Sequence, residues 1–324
     1  MTANLREYDA ERDFIRIRDF LLDTYGQFEA PVNWGIERWN YARYFVAPFL
    51  GAYGKEEPTE GASLQAIRFW EEHLAVWEGA AGEIVGVACI ETPDPEDTGF
   101  GEVFVQRHPE HLDLLDEMLA YCEKRFRDPK KNRVYIWVYD DDAQLLEAVS
   151  RRGYEQSSEP TSRHLEYVMG ELPGASLPEG FRFLSMADEN DIEKRREIFG
   201  RGFNHEDPKE WPSAFSYREL QKAPDYRTEN DLVIVSPDGT YAACCIVWYD
   251  AISRVAHLEP LGTHPDYRRR GLTRELVFEG LRRMKALGAT RAPMTGGFEP
   301  FYEAIGFEAR RVQHAWIKTF QTAA

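Results

Sequence analysis

The feature that most limits the fold is an internal repeat, in which short sequences of the first half of the chain recur in the second half. Cys89-Ile90 corresponds to Cys245-Ile246, and His108-Pro109 corresponds to His264-Pro265, both at an offset of 156 residues. A repeat of this length indicates duplicated domains rather than a solenoid of short units. The chain has 324 residues, which is also enough for two domains. We therefore predict two similar domains in tandem.

The boundary between the two copies is a segment that breaks every periodic pattern. Residues 170–180 contain three Gly and two Pro, which is typical of a linker. We predict a first domain at residues 1–170, a linker at residues 171–180 and a second domain at residues 181–324. Strand-like and helical patterns alternate on both sides, and the last predicted strands are residues 165–169 and residues 307–318.

A basic turn at residues 264–273 lies between a strand-like run and a helical run. The first N–H groups of a helix have no intrahelical partner, and the helix dipole adds about half a positive charge there. Gly271 would let a phosphate approach the backbone because glycine has no Cβ. Arg268, Arg269 and Arg270 can add charge-assisted contacts. The pattern predicts a diphosphate site, and the alternative is a solvated run of charges.

The sequence THPDYRRRGLTREL resembles the acyl-CoA loop of the GNAT N-acetyltransferases, whose pattern is Arg/Gln-x-x-Gly-x-Gly/Ala. Arg268 and Gly271 match this pattern, whereas Thr273 departs from its last small position. Downstream, FYEAIGFEARR at residues 301–311 resembles the closing segment of that family. The resemblance covers about residues 181–318. It implies an α/β (α+β) fold of two tandem GNAT-like domains, each with a mixed, mostly antiparallel central sheet flanked by helices.

The resemblance implies acetyl-CoA as cosubstrate and no metal. The end of the strand before the loop is expected to hold the thioester carbonyl, and the loop is expected to hold the diphosphate. These binding positions are Leu261, Gly262, Thr263, Arg268, Arg269, Arg270, Gly271, Leu272, Thr273 and Arg274. After His108-Pro109 the first copy has no Gly or Arg at residues 110–116 and places Asp116 near the helix start. Carboxylates there repel an anion, so the first copy is predicted to be degenerate.

Acyl transfer from a thioester to an amine needs a base for the amine and an acid for the departing thiolate. By the resemblance, Tyr302 is the acid, and the alternative is that it only packs its helix against the sheet. Glu259 and His257 lie two residues apart on a predicted strand, so their side chains share one face. We expect Glu259 to be the base and His257 to be the second candidate. The alternative for Glu259 is an ion pair with an arginine such as Arg254.

The acceptor pocket is predicted between residues 200–220 and the central strands, with aromatic walls. Its candidate residues are Phe203, His205, Trp211, Tyr217 and Trp248. The leading hypothesis is an N-acyltransferase that moves an acetyl or other short acyl group from acyl-CoA to a primary amine of a small molecule in the second domain. The alternative is a non-catalytic acyl-CoA-binding protein with a regulatory or scaffold role.

The acidic balance of the chain limits its partners. A net charge of −17 argues against nucleic acid and anionic membranes, and it is compatible with a cationic amine acceptor. The four Cys residues do not have the spacing of a zinc site. Cys244 and Cys245 are predicted to be core residues of a protein in a reducing compartment. No apolar run reaches the roughly 18 residues of a membrane span. These features predict a cytoplasmic protein, and a homodimer is possible.

Overall fold

The first half of the chain, up to residue 170, places four helices before most of its strands. The computed structural model describes residues 3–56, 59–92, 100–158, 161–296 and 299–321. A π-helical turn at Ala42–Val46 joins α2 to α3. The elements of this half are β1 (Asn4–Glu7), α1 (Asp13–Tyr25), α2 (Ile36–Tyr41), α3 (Ala47–Ala52), α4 (Glu60–Glu72), β2 (Leu74–Glu78), β3 (Ile84–Cys89), β4 (Phe104–Arg107), α5 (Leu115–Arg125), β5 (Arg133–Tyr139), α6 (Ala143–Arg151), β6 (Glu155–Gln156) and β7 (Ser162–Val168).

The second half, from residue 181, begins with an antiparallel meander that leads to the basic loop. The turn between β9 and β10 contains Gly239 at φ +88°, a left-handed conformation that suits a residue without Cβ. The elements are β8 (Arg182–Ser185), α7 (Ile192–Gly202), α8 (Ala214–Leu220), β9 (Asp231–Val235), β10 (Tyr241–Asp250), β11 (Val255–Thr263), α9 (Leu272–Leu287), β12 (Arg291–Thr295), α10 (Glu299–Ala304) and β13 (Glu308–Thr319).

The two halves exchange their last strands. One sheet has the order β1-β2-β3-β4, and the other has the order β5-β13-β7-β12-β11-β10-β9-β8, with β6 beside β13. β7 of the first half pairs antiparallel with β12, and β13 of the second half pairs antiparallel with β5. The two last strands that the sequence indicates are therefore present, but each lies beside strands of the other half. The two halves are therefore separate along the chain, but strands of both lie in one sheet.

Each half also contains a pair of parallel strands that diverge. β11 and β12 are paired at one position, Val255 with Arg291, which is the first residue of each strand. In the first half, Glu102 forms an isolated parallel bridge with Tyr135. Beyond these points the strands separate toward their carboxyl ends. A sheet opened in this way leaves room for a ligand between its strands.

Aromatic side chains from both halves form a shared core. Tyr41 and Phe45 of the first half pack with Phe199, Tyr217 and Trp248 of the second half. The ring centroids of Phe45 and Tyr217 are 5.4 Å apart, and those of Phe45 and Phe199 are 5.0 Å apart. Burying one such side chain contributes about 1.5–3 kcal/mol. The halves are thus joined by packing as well as by backbone pairing.

The remaining sequence expectations concern cysteines, metals and membranes. Cys89, Cys122, Cys244 and Cys245 are all buried and free, which confirms the core positions of Cys244 and Cys245. Over the described ranges, no cluster of three or more His, Cys, Asp and Glu side chains is arranged to hold a metal ion. In that same part of the chain, no helix combines the length and apolarity needed to cross a membrane.

Candidate active site

The basic loop ends in a helix whose first turn is open to an anion. Gly271 is the N-cap of α9 with φ +78°, and no side chain accepts a hydrogen bond at this cap. A Cβ built on Gly271 would meet no atom within 4 Å. The space beside Gly271 at the start of α9 is therefore open, which the diphosphate prediction requires.

Arg268 does not point freely at this space. Its Nε donates to Thr263 O at 3.1 Å and its Nη2 donates to Gly202 O at 3.0 Å. It therefore fastens the loop to the ends of β11 and α7. Arg270 donates to Asp266 O at 3.2 Å and lies over the ring of Tyr267. Arg268 and Arg270 thus shape the loop through backbone contacts, in addition to the charge that they bring to it.

Four further predicted binding positions are held by their neighbours. The hydroxyl oxygens of Thr263 and Thr273 are 2.5 Å apart, so the branched side chain at position 273 bonds to the end of β11. Leu272 is buried in the core of the second half. Arg274 forms an ion pair with Glu275 at 2.8 Å. The diphosphate roles of these residues stay predictions.

The corresponding region of the first half has a different local chemistry. A 3-10 helix at Pro109–Leu114 replaces the basic loop, and His108 caps it through Nδ1. Asp116 and Glu117 lie in the first turn of α5. Glu117 accepts a hydrogen bond from Trp77 Nε1 at 2.8 Å. Negative charge at this helix start opposes anion binding, which supports the prediction of a degenerate first copy.

A cavity of about 670 Å³ lies between the diverging strands of the two halves. The second half lines it with residues 257–261, residues 293–296 and Tyr302, and the first half lines it with residues 31–35 and residues 104–107, among others. Residues 257–261, 293–296 and 104–107 come after the one position at which each diverging pair of strands is paired. The cavity therefore forms where both pairs of strands separate, and the first half supplies much of its wall.

The predicted acid and base both line this cavity. Tyr302 is 7% exposed, and its ring packs against the rings of Phe301 and Phe307. Burial raises the pKa of Tyr302, so the phenol keeps its proton at neutral pH. Glu259 also lines the cavity, and burial raises the pKa of its carboxyl. A protonated phenol and a carboxyl of raised pKa are the states that an acid and a base need.

Glu259 does pair with an arginine, which was the alternative to its role as base, but the partner is not Arg254. Arg254 donates to Gly288 O at 2.7 Å and does not contact Glu259. Arg38 of α2, in the first half, donates to Glu259 Oε1. It also contacts Glu91 Oε1 through Nη2 at 2.8 Å. Arg38 opposes the effect of burial and lowers the pKa of Glu259. An arginine of the first half therefore stabilises the charged form of the predicted base.

His257 is held by another carboxyl of the first half. Its Nδ1 lies 3.1 Å from Glu37 Oε1. Burial lowers the pKa of His257 to about 3 and raises the pKa of Glu37 to about 8. Burial therefore disfavours the charged form of both partners of this pair. The choice of Glu259 as the base and of His257 as the second candidate stays a prediction. Gly35 permits this contact, since a Cβ there would lie 2.2 Å from Glu37 Oε2.

Of the five residues predicted for the aromatic acceptor pocket, one lines the cavity and two lie in the shared core, while the roles of His205 and Trp211 stay predictions. Phe203 lines the cavity. Tyr217 and Trp248 are buried in the shared core, where Arg195 Nη1 donates to Tyr217 OH and Trp248 Nε1 donates to Glu259 O, both at 2.7 Å. Trp211 donates to His205 O at 3.0 Å, and His205 lies near Tyr53. Aromatic content alone did not distinguish core residues from cavity walls.

Known proteins are similar to this chain at the level of family and fold. Residues 194–307 match the model of the acetyltransferase (GNAT) family. No curated protein sequence matches the chain. Among solved structures, the chain resembles a tandem GNAT protein from the clavulanic acid biosynthesis pathway, with 13% identity, a TM-score of 0.58 and 100% coverage of both chains.

Two other solved structures share the fold. A GCN5-related N-acetyltransferase from Sphaerobacter thermophilus has 16% identity and a TM-score of 0.54, over 87% of this chain and 92% of that one. The N-myristoyltransferase of Saccharomyces cerevisiae, solved with bound myristoyl-CoA, has 11% identity and a TM-score of 0.56, over 99% of this chain and 80% of that one. Residues 194–307 thus match the acetyltransferase (GNAT) family, and the whole chain is similar in fold to a tandem GNAT protein.

Proposed function

We propose that the protein is an N-acyltransferase that transfers an acetyl or other short acyl group from acyl-CoA to a primary amine of a small molecule, with the chemistry in the second half. The family of residues 194–307 carries out acyl transfer from acyl-CoA. One observation carries the finer proposal. Glu259 and Tyr302 line a single cavity that adjoins the end of β11 and lies between diverging strands.

Each part of the site has a task in this reaction. The first turn of α9 and the basic loop bind the diphosphate of acyl-CoA. β11 pairs with β12 only at Val255 among the described residues, so the N–H groups on that side of residues 258–263 face the cleft and can bind the thioester carbonyl. Glu259 takes a proton from the attacking ammonium group, directly or through water. The amine nitrogen bonds to the acyl carbon, the C–S bond breaks, and Tyr302 protonates the thiolate. The second proton of the nitrogen then restores the phenol of Tyr302, directly or through water.

Thiol release from acetyl-CoA by the full chain, with a panel of primary amines, tests this function. We expect release that depends on an added amine. Acyl-CoA derivatives of increasing chain length, supplied with the best amine, define the acyl group. If calorimetry shows that acyl-CoA binds while no amine and no chain length gives thiol release, the protein is an acyl-CoA-binding regulator or scaffold instead.

The role of Glu259 as base predicts a change in the pH dependence of the rate. Glu259→Gln is expected to lower kcat most near neutral pH, where the acceptor amine is protonated and needs a base. The loss is expected to shrink at high pH, where free amine is abundant. pH–rate profiles of the wild type and the variant measure this difference. Glu147→Gln, an exposed position on α6, is the control for loss of a carboxylate. An equal loss at every pH would show that Glu259 only positions the substrate.

A further inference from the structure

The cavity wall has more carboxyl groups than cations. Among the described residues, it is lined by five carboxyl groups and two guanidinium groups, namely Glu37, Glu91, Glu102, Asp142 and Glu259, and Arg38 and Arg107. Arg107 and Asp142 are both buried and form their own ion pair. Arg38 is thus left as one guanidinium group for the other four carboxyl groups, of which Glu37 and Glu102 have raised pKa values. Buried carboxylates without a compensating cation are unfavourable.

Arg38 arranges two of these carboxylates in a line. One end of its guanidinium group donates to Glu259, and the other end contacts Glu91 at 2.8 Å. Glu102 of the first half lies near Glu91, close enough for the charge of Glu91 to act on it. Its Oε2 accepts a hydrogen bond from Tyr135 OH at 2.9 Å. Burial, followed by the nearby charge of Glu91, raises the pKa of Glu102 to about 7. Carboxyl groups of both halves, from the predicted base Glu259 to Glu102, therefore lie close together in the cavity wall.

A second observation indicates that this wall lacks a hydrogen-bond donor. Glu37 is 9% exposed and lines the same cavity, yet its Oε2 has no hydrogen-bond partner among the described residues. Burial, followed by the nearby charge of Glu259, raises the pKa of Glu37. Buried carboxyl oxygens nearly always have a donor in folded proteins. An ammonium group supplies three donors and one positive charge.

We propose that the acceptor carries a second cationic group, and that Glu91 and Glu102 of the first half bind it while the primary amine lies at Glu259 and Tyr302. The substrate class is a short aliphatic diamine or polyamine. The carboxylates of Glu259 and Glu91 lie at opposite ends of one guanidinium group, so the two nitrogens of the acceptor are separated by a short alkyl chain. This inference rests on the proposed function, because that function places the reacting amine. The second ammonium group takes no part in bond formation or cleavage.

Putrescine and butylamine test the second cation, because they differ by one amino group at the far end of the same alkyl chain. Wild-type protein is expected to show a kcat/KM for putrescine at least tenfold above that for butylamine. Glu102→Gln is expected to reduce this ratio about tenfold through KM, the usual effect of losing a charged hydrogen-bond partner. Gln keeps an oxygen that accepts from Tyr135. Glu147→Gln on α6 is the matched surface control and is expected to keep the wild-type ratio.

A direct measurement of putrescine binding tests this inference independently of the proposed function. Calorimetry with putrescine and the full chain is expected to show binding that Glu102→Gln weakens and Glu147→Gln does not. If putrescine binds in this way but thiol release fails, the cation site stands and the transferase is wrong. If amines are acylated but butylamine equals putrescine, or Glu102→Gln changes neither the kcat/KM ratio nor putrescine binding, the second-cation site is wrong and the transferase stands.

Discussion

Replacing Tyr302 with phenylalanine is expected to lower kcat for acyl transfer by roughly 10²–10⁴, the usual contribution of a positioned general acid. Tyr302 lines the cavity, and burial raises the pKa of its phenol, so the proton is present at neutral pH and available to the departing thiolate. Phenylalanine keeps the ring that packs against Phe301 and Phe307. The affinity for acyl-CoA is therefore expected to stay near that of the wild type.

Thiol-release kinetics and calorimetry with acyl-CoA measure the two quantities separately. Tyr167→Phe is a suitable control, because Tyr167 of β7 contacts Phe307 with ring centroids 5.3 Å apart and does not line the cavity. It is expected to keep a kcat near that of the wild type. If Tyr302→Phe also keeps the wild-type kcat, the phenol only packs and the thiolate takes its proton from another source.

Replacing Gly271 with valine is expected to abolish acyl-CoA binding to the full chain. The valine side chain would occupy the open space in front of the first turn of α9, where the proposed function places the diphosphate. Wild-type protein is expected to bind one acyl-CoA per chain, because the loop of residues 264–273 has no counterpart in the first half. Calorimetry gives both the stoichiometry and the loss. Two equivalent sites per wild-type chain would contradict the assignment of the site to the second half.

Valine at a left-handed glycine also strains the backbone, by about 1–3 kcal/mol, so the control must carry the same strain. Gly153 of the first half has φ +77°, close to the φ +78° of Gly271, and a Cβ on it would likewise meet nothing within 4 Å. Gly153→Val is expected to lose similar stability and to keep acyl-CoA binding. A folded Gly271→Val variant with unchanged affinity would refute the anion site at α9.

The loop and its flanking elements could be predicted from the sequence because their information is local. The strand, the basic turn and the helix follow one another within residues 255–287, and each has its own pattern of apolar and turn residues. The shared face of His257 and Glu259 follows from the two-residue period of a strand, and both residues line the cavity. Tyr302 could be located because the resemblance to the family includes its neighbours.

The acceptor side of the cavity could not be predicted, because its residues meet only through long-range pairing. Glu37 and Arg38 lie in a short helix among aromatic residues, and no periodic pattern connects them with His257 and Glu259. The choice of Arg254 as a partner relied on closeness in sequence. Arg254 lies in a turn at φ +57° and bonds to a backbone oxygen instead. Tyr217 and Trp248 were misplaced because packing of the first half against them could not be predicted from local patterns.

The exchange of last strands has a consequence for the chain during its synthesis. Ribosomes deliver the N-terminal part of a protein first, and domains often fold as they emerge. Here β5 pairs with β13, so one side of β5 stays unpaired until residues 308–319 have been made. Exposed strand edges are templates for pairing with other chains. The nascent first half therefore exposes this strand edge to aggregation while the second half is translated. In the folded protein the same edge is covered by β13.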